Sequence, residues 1–210
     1  MVTGCPGGCR IGIMGGSFDP IHYGHLVLAE QVRDQFQLER IYFIPVGNAP
    51  HKSASKMSSK MSRYEMTVLA TATNPKFEVS RLEIDRDTTS YAIDTVRALM
   101  DQIGPSDQLY FITGADAIVE LQSWKNWKTL LTYCHFIGAT RPGIDRDLLN
   151  EKMAVLQDQH GAKIHVTEVP ALAISSTDIR RRVSEGNSIK YLLPESVEQY
   201  IYKNGLYKGV

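Results

Sequence analysis

The fold is constrained most by the regular alternation of short apolar runs with segments of helical periodicity along the chain. In the first helical segment, for example, Leu26, Ala29 and Val32 fall on one face. Strands that alternate with helices predict a parallel sheet covered on both faces and joined by right-handed crossovers. We therefore predict an α/β fold with a single Rossmann-like, doubly wound parallel sheet. The predicted strands are residues 10–14, 40–46, 77–84, 108–113, 135–140 and 163–169, and the predicted helices are residues 26–36, 63–73, 92–103, 145–159 and 178–185.

The chain has 210 residues, which suits one domain with a sizeable core. We predict a flexible leader at residues 1–9 and a single domain at residues 10–210, with no linker or internal repeat. Residues 47–62 are rich in serine and lysine and lack periodicity. They predict a mobile loop that closes over a substrate, with a plain surface loop as the alternative. Pro194 and Gly205 are placed to start and stop a helical C-terminal segment.

Composition argues against two classes of partner. The chain carries 23 lysine and arginine residues against 23 aspartate and glutamate residues, so its formal net charge is zero. Nucleic-acid-binding proteins need a basic surplus, which is missing here. No segment approaches the ~20 consecutive apolar residues that span a bilayer, and the first ten residues lack the apolar core of a secretory signal. We therefore expect a cytoplasmic protein that binds neither nucleic acid nor membrane.

The three cysteines do not predict a disulfide framework in that compartment. Cys5 and Cys9 flank a Pro-Gly-Gly sequence, but a tetrahedral zinc site needs four ligands and the sequence offers no second pair. We therefore interpret both as part of the leader. Cys134 begins an apolar run, which predicts a buried thiol.

Residues 15–25 read Gly-Gly-Ser-Phe-Asp-Pro-Ile-His-Tyr-Gly-His and lie between the first predicted strand and the first predicted helix. Such a glycine-rich turn directs backbone N–H groups and the positive end of a helix at one point, where a polyanion can bind. His22 and His25 flank Gly24 there, so their ring N–H groups can donate to phosphate oxygens while the glycine permits close approach. The turn therefore predicts a phosphate site, with a helix N-terminus bearing two surface histidines as the alternative.

This run resembles the H-x-G-H signature of the nucleotidyltransferase superfamily, in the G-G-[ST]-F-D-P-[IV]-H-x-G-H form typical of nicotinate-nucleotide adenylyltransferases. H-x-G-H alone also marks pantetheine-phosphate adenylyltransferases, cytidylyltransferases and class I aminoacyl-tRNA synthetases, whereas the eleven-residue form is more specific. Further matches follow in order along almost the whole chain: Pro45-Val46-Gly47, Pro50-His51-Lys52, Ser90-Tyr91, Asp94-Thr95, Gly114-Ala115-Asp116, Trp124, Ile174-Ser175-Ser176-Thr177 and Ile179-Arg180.

The resemblance implies transfer of the AMP moiety of ATP to nicotinate mononucleotide, which gives deamido-NAD and pyrophosphate in NAD biosynthesis. The phosphate of the acceptor would attack the α-phosphorus in line, so catalysis would depend on positioning and on stabilising negative charge. Two alternatives keep the fold. One is adenylyl transfer to another acceptor, nicotinamide mononucleotide or phosphopantetheine, and the other is a non-catalytic nucleotide sensor.

The resemblance assigns catalytic roles to His22, His25, Lys52 and Arg180. The histidines would hydrogen-bond the ATP phosphates, with His22 nearer the α-phosphate. Lys52 would bring a charge from the loop, and the guanidinium fork of Arg180 would hold the β- and γ-phosphates. Thr177 precedes a predicted helix, so capping is its simpler alternative role. The implied ATP-binding residues are Gly15, Gly16, Ser17, Phe18, Gly24, Gly114, Asp116 (near the ribose), Arg141 (on the adenine side), Ser176 and Thr177.

The resemblance assigns acceptor binding to Tyr91, Ala92 and Trp124. In the family a tryptophan after the G-x-D turn packs on the pyridine ring, and Trp124 occupies that place, whereas Trp127 lies at helical spacing with leucines and is predicted to be core. Residues 90–92 read Ser-Tyr-Ala instead of the common S-Y-T, so Ala92 removes a hydroxyl near the expected pyridine carboxylate. Backbone amides can still hold that carboxylate, and we expect the acid form to be preferred.

Magnesium is the expected cofactor because it neutralises ATP and needs few protein ligands. We assign no direct metal ligand, since Asp19 equally suits a side chain that stabilises the turn. The expected partners are the small molecules ATP and nicotinate mononucleotide, and the expected assembly is a homodimer.

Overall fold

The computed structural model describes residues 8–48, 57–140, 145–168 and 173–208. Cys5, Lys52 and Arg141, which the sequence analysis singles out, lie outside these ranges. So do most of the predicted leader and the middle of the predicted loop at 47–62.

Six parallel strands form one sheet in the order β3-β2-β1-β4-β5-β6. The order reverses between β1 and β4, which makes their carboxyl ends the switch point where doubly wound sheets bind ligands. The prediction of a doubly wound parallel sheet is confirmed. The strands are β1 (Arg10–Gly16), β2 (Arg40–Pro45), β3 (Phe77–Val79), β4 (Gln108–Gly114), β5 (Cys134–Thr140) and β6 (Ile164–Glu168).

Helices connect the strands and cover both faces of the sheet, so the core divides into two clusters. Successive side chains of a strand point to opposite faces of the sheet, so β1 contributes residues to both clusters. Ile11 and Ile13 belong to one cluster, and Met14 belongs to the other. The first cluster packs under α3, α4, α5 and α6, and the second under α1, α2, α7 and α8. The helices are α1 (Tyr23–Gln35), α2 (Lys60–Thr71), α3 (Ala92–Met100), α4 (Ala115–Val119), α5 (Trp127–Tyr133), α6 (Arg146–His160), α7 (Ser176–Ser184) and α8 (Glu195–Lys203).

The predicted elements differ from the structure in several places. The strand predicted at residues 77–84 ends at Val79, because the chain then turns. The buried carboxylate of Glu83 accepts from the backbone N–H of Gly47 and from the hydroxyl of Thr95 in α3. The helix predicted from residue 63 begins at Lys60, because the Ser59 hydroxyl accepts from the backbone N–H of Ser62 and caps it. The short helices α4 and α5 are not among the predicted elements, since five and seven residues are too few to show a clear period.

The two cysteines among the described residues, Cys9 and Cys134, are buried in the same core cluster and differ in the state of the sulfur. Cys9 is not part of a free leader, since it packs in the core and its backbone N–H donates to Oδ1 of Asp107 at 2.7 Å. Its sulfur is disulfide-bonded, which the sequence analysis did not expect. Cys134 is a free buried thiol as predicted, and burial raises its pKa to about 12.

Among the helices of the described residues, none combines the length and apolar character that crossing a membrane requires.

Candidate active site at the switch point of the sheet

The glycine-rich turn leaves β1 at the switch point and is shaped around one buried ring. Phe18 is 2% exposed and has a φ of 47°, a left-handed conformation that is uncommon outside glycine. A Cβ on Gly16 would lie 2.8 Å from Cε1 of this ring, so only glycine fits there. A Cβ on Gly15 would meet nothing closer than 3.9 Å, which leaves space beside the turn. The Phe18 side chain therefore supports the turn from within the core and is itself shielded from solvent.

His22 and His25 lie together at the N-terminus of α1. His22 is the N-cap residue, its carbonyl accepts from the backbone N–H of His25 at 2.9 Å, and its own N–H donates to Nδ1 of His25 at 3.3 Å. The two rings stack with centroids 3.8 Å apart. A Cβ on Gly24 would lie 3.0 Å from the His22 ring, so the glycine allows the ring this position. Both imidazoles therefore share the positive end of a helix, which favours anions.

The late motif lies directly against this turn. Ser176 Oγ donates to the carbonyl of Pro20 at 2.9 Å across 156 residues of sequence, and Nη1 of Arg180 donates to the carbonyl of Asp19 at 2.7 Å across 161 residues. Nη2 of Arg180 also donates to Oγ1 of Thr177 at 3.2 Å. The predicted helix at residues 178–185 is α7, which begins at Ser176 because the cap is Ser175, not Thr177. The first and last predicted phosphate motifs thus form one site.

Asp19 holds the turn in place and is not arranged as a metal ligand. It is 3% exposed, and its Oδ1 accepts from the Tyr207 hydroxyl at 2.7 Å while its Oδ2 accepts from the backbone N–H of Ser58 at 3.3 Å. Burial, and then the Asp19 charge, raise the pKa of Tyr207. Of the two alternatives for Asp19, the structure favours turn stabilisation.

Arg63 in α2 is a site residue that the sequence analysis missed. It is 2% exposed, and its guanidinium donates to three backbone carbonyls: Ser17 at 2.9 Å, Gly47 at 3.2 Å and Ser58 at 3.2 Å. Burial lowers its pKa, opposed by the charge of Asp19. The guanidinium therefore ties the glycine-rich turn to chain segments on either side of residues 49–56. The sequence signal for burial of Arg63 is its place in a predicted helix among apolar neighbours. Because arginine is usually exposed, that signal does not predict a buried guanidinium.

The carboxyl end of β4 places Gly114 and Asp116 at the same edge of the sheet, next to β1. Gly114 is the N-cap residue of α4, and a Cβ there would lie 2.2 Å from Oδ1 of Asp116. The glycine is therefore required by the way the Asp116 carboxylate folds back over the turn. Asp116 is exposed, so its side chain is accessible from solvent.

The predicted acceptor residues lie close to one another beside β4. Tyr91, Ala92 and Trp124 are half-buried against the same core cluster, and Trp124 packs edge-on against Phe111 with centroids 5.6 Å apart. Lys125, which the sequence analysis did not single out, places its Nζ 4.1 Å from the centroid of the Tyr91 ring. Trp127 packs against the core cluster as predicted.

Comparison with known proteins agrees with this arrangement. A family described as Cytidylyltransferase-like matches residues 13–182. The chain is 57% identical over 199 residues to a probable nicotinate-nucleotide adenylyltransferase of Moorella thermoacetica, covering 95% of this chain and 92% of the relative. It is 55% identical over 199 residues to a protein of the same name from Thermoanaerobacter sp. (strain X514), covering 95% and 94%. Its fold matches Plasmodium falciparum nicotinic acid mononucleotide adenylyltransferase complexed with NaAD, with a TM-score of 0.75, 23% identity and coverage of 95% and 97%.

A Rossmann-like sheet with paired imidazoles and a late arginine at its switch point defines a cytidylyltransferase-like nucleotidyltransferase, and the family match extends over most of the chain. Within this class, the two relatives named above are more than half identical to the chain over nearly its full length, and both carry the name of one family. The chain belongs to the nicotinate-nucleotide adenylyltransferase family, so the resemblance seen in the sequence is confirmed.

Proposed function

We propose that the protein transfers AMP from ATP to nicotinate mononucleotide and releases pyrophosphate, forming deamido-NAD. The observation that carries this proposal is the 2.7 Å hydrogen bond from Arg180 to Asp19, which brings the late guanidinium beside the turn with His22 and His25. The names of the relatives support the choice of acceptor.

In this reaction a phosphate oxygen of the acceptor attacks the α-phosphorus, and the bond to the β-phosphate oxygen breaks as pyrophosphate leaves. The protein supplies no nucleophile. His22 and His25 donate to phosphate oxygens at the N-terminus of α1, where the helix end adds to the field of the ring N–H groups. Arg180, held against the turn, binds the leaving pyrophosphate. The Thr177 hydroxyl accepts from Arg180 and keeps its proton for a phosphate oxygen. Because the Ser176 hydroxyl donates to Pro20, Ser176 contributes through its backbone N–H in the first turn of α7.

Two predicted ATP-binding residues, Lys52 and Arg141, lie outside the described ranges. Lys52 belongs to the segment between Gly47 and Ser58, whose carbonyls are two of the three that accept from Arg63. We assign Lys52 to the phosphates and Arg141 to the adenine. On the acceptor side, Trp124 packs on the pyridine ring and Tyr91 and Ala92 border it, and Asp116 contacts a ribose hydroxyl.

The residues of the site suit magnesium carried by ATP better than a resident ion. Among the described residues, no three histidine, cysteine, aspartate or glutamate side chains are grouped as metal ligands, and the Asp19 carboxylate already accepts from Tyr207 and Ser58. Magnesium would enter on the phosphate oxygens and neutralise their charge. We further propose that the enzyme acts in the cytoplasm as a homodimer.

The test is an assay of the purified protein with ATP, magnesium and a panel of acceptors, with pyrophosphate and the dinucleotide quantified. We expect both products in equal amounts with nicotinate mononucleotide, a smaller yield with nicotinamide mononucleotide and none with phosphopantetheine. The His25→Asn variant, purified in the same way, serves as the control for contaminating enzymes and should lose most of the yield. A wild-type protein that binds ATP but forms no product with any acceptor would show that it is a sensor instead.

A further inference from the structure

Ala92 leaves open how this chain recognises the acid form of its acceptor, because it carries no hydroxyl. The structure places a cation at that point. Lys125 follows Trp124 directly, and its Nζ lies 4.1 Å from the ring centroid of Tyr91, the residue before Ala92. The lysine therefore contacts one of the three residues assigned to acceptor binding and directly follows another in the chain.

The ammonium is held by two contacts that leave it available. Besides the Tyr91 ring, its Nζ lies 3.8 Å from Oδ2 of Asp94, which is longer than a good charge-assisted hydrogen bond. An ammonium has three donors, and 48% of the Lys125 side-chain surface is exposed. It can therefore turn one donor toward an anion while remaining over the ring.

A second source of positive potential lies at the same place. Tyr91 is the N-cap residue of α3, so the positive end of that helix begins at the residue whose ring the ammonium contacts. Asp94 in the first turn offsets part of this charge. The pyridine carboxylate of nicotinate mononucleotide is an anion at neutral pH, whereas the amide of nicotinamide mononucleotide is neutral, so only the acid gains from these charges.

We propose that Lys125 is the side chain that selects the acid form of the acceptor, by pairing its ammonium with the pyridine carboxylate beside Trp124. This inference rests on the proposed function. It assigns the discrimination to an ionic contact from the segment after Trp124, in place of the hydroxyl that Ala92 lacks.

The test compares kcat/KM for nicotinate and nicotinamide mononucleotides in four proteins: wild type, Lys125→Met, Lys128→Met and Asp94→Asn. Lys128 is a matched control, because it is a nearby exposed lysine whose Nζ lies 5.5 Å from the ring of Trp127 instead of Tyr91. We expect Lys125→Met to lower the acid-to-amide ratio about tenfold, through the KM for the acid, because one charge-assisted contact is lost. Lys128→Met should leave the ratio unchanged, and Asp94→Asn should raise it by freeing the ammonium.

The outcomes separate the inference from the proposed function. A wild-type protein that does not adenylate nicotinate mononucleotide refutes the proposed function. A wild-type protein that does so, with a Lys125→Met variant whose ratio stays within about twofold, refutes the inference alone. Equal losses with both acceptors also refute it, because they would place the ammonium on the phosphate that the two acceptors share. The ratio is measured within one preparation, so a partly unfolded variant does not affect it.

Discussion

The two sides of the candidate site are built differently. On the phosphate side, Asp19, His22 and Arg63 are buried, and hydrogen bonds of 2.7–2.9 Å connect chain segments more than 150 residues apart. On the acceptor side, Tyr91 and Trp124 are half-buried, and Lys125 meets Asp94 only at 3.8 Å.

This difference follows from what each side must do. Stabilising charge that develops on a phosphate requires donors fixed before the reaction, because reorganising them at that moment would raise the barrier. Recognising the acceptor requires only a difference in affinity between similar molecules, which exposed side chains can supply. We therefore expect changes on the phosphate side to lower turnover and stability, and changes on the acceptor side to alter KM and selectivity.

The largest effect is expected for His22→Ala. The substitution removes a donor from the phosphates, and losing one such donor lowers turnover by about 10²–10³. Pyrophosphate release at saturating ATP and acceptor measures it. The circular dichroism spectrum should match that of the wild type, since α1 keeps its other contacts. Turnover within a few-fold of the wild-type value would show that this imidazole does not act on the phosphates.

The next effect is expected for Arg63→Lys, which keeps a charge but cannot reach three carbonyls. Each buried carbonyl left unpaired costs about 1–3 kcal/mol, so the free energy of unfolding should fall clearly in urea denaturation. Because the turn and the segments around residues 49–56 lose their common anchor, kcat per folded molecule should also fall about tenfold or more.

Two controls separate these effects of Arg63. Arg81→Lys alters an exposed arginine paired with Asp85, and should change neither stability nor kcat. Leu156→Ala removes a side chain buried in the other core cluster, and should lower stability while leaving kcat per folded molecule intact. If Arg63→Lys behaves like Leu156→Ala, the buried network supports the fold alone, and the contrast between the two sides concerns stability only.

Much of this arrangement could be predicted from the sequence because its signals are local. The glycine-rich turn, the histidines three residues apart and the alternation of strands and helices each depend on neighbouring residues, and the parallel-sheet rules then place the turn at the sheet edge. Arg180 could be assigned by resemblance to the family.

The remaining features depend on contacts between distant segments, which no local pattern records. Arg63 reads as an ordinary polar residue of α2, and its burial becomes clear only when Ser17, Gly47 and Ser58 surround it. Lys125 reads as a surface lysine until α3 brings Tyr91 beneath it. Glu83 lies within an apolar run that predicts a strand, yet its carboxylate accepts from the backbone N–H of Gly47 and from the Thr95 hydroxyl.

A smaller effect is expected for Tyr207→Phe. The change removes the hydroxyl that donates to the buried Asp19 carboxylate and leaves that oxygen without this donor, which costs about 1–3 kcal/mol. Urea denaturation measures the loss. Tyr200→Phe is the matched control, because that hydroxyl bonds the exposed Glu65 and should contribute less. Equal losses in the two variants would show that the C-terminal segment does not stabilise the turn through Asp19.

The smallest effect is expected for Trp124→Leu, on the acceptor side. An aromatic contact with the pyridine ring contributes about 0.5–1.5 kcal/mol, so the KM for the acceptor should rise about three- to tenfold while the KM for ATP stays constant. Trp127→Leu is the control, since that ring packs edge-on against His160 with centroids 4.8 Å apart and should affect stability without changing either KM. A rise in the KM for ATP equal to that for the acceptor would contradict the division of the site, because it would show that the indole positions both substrates.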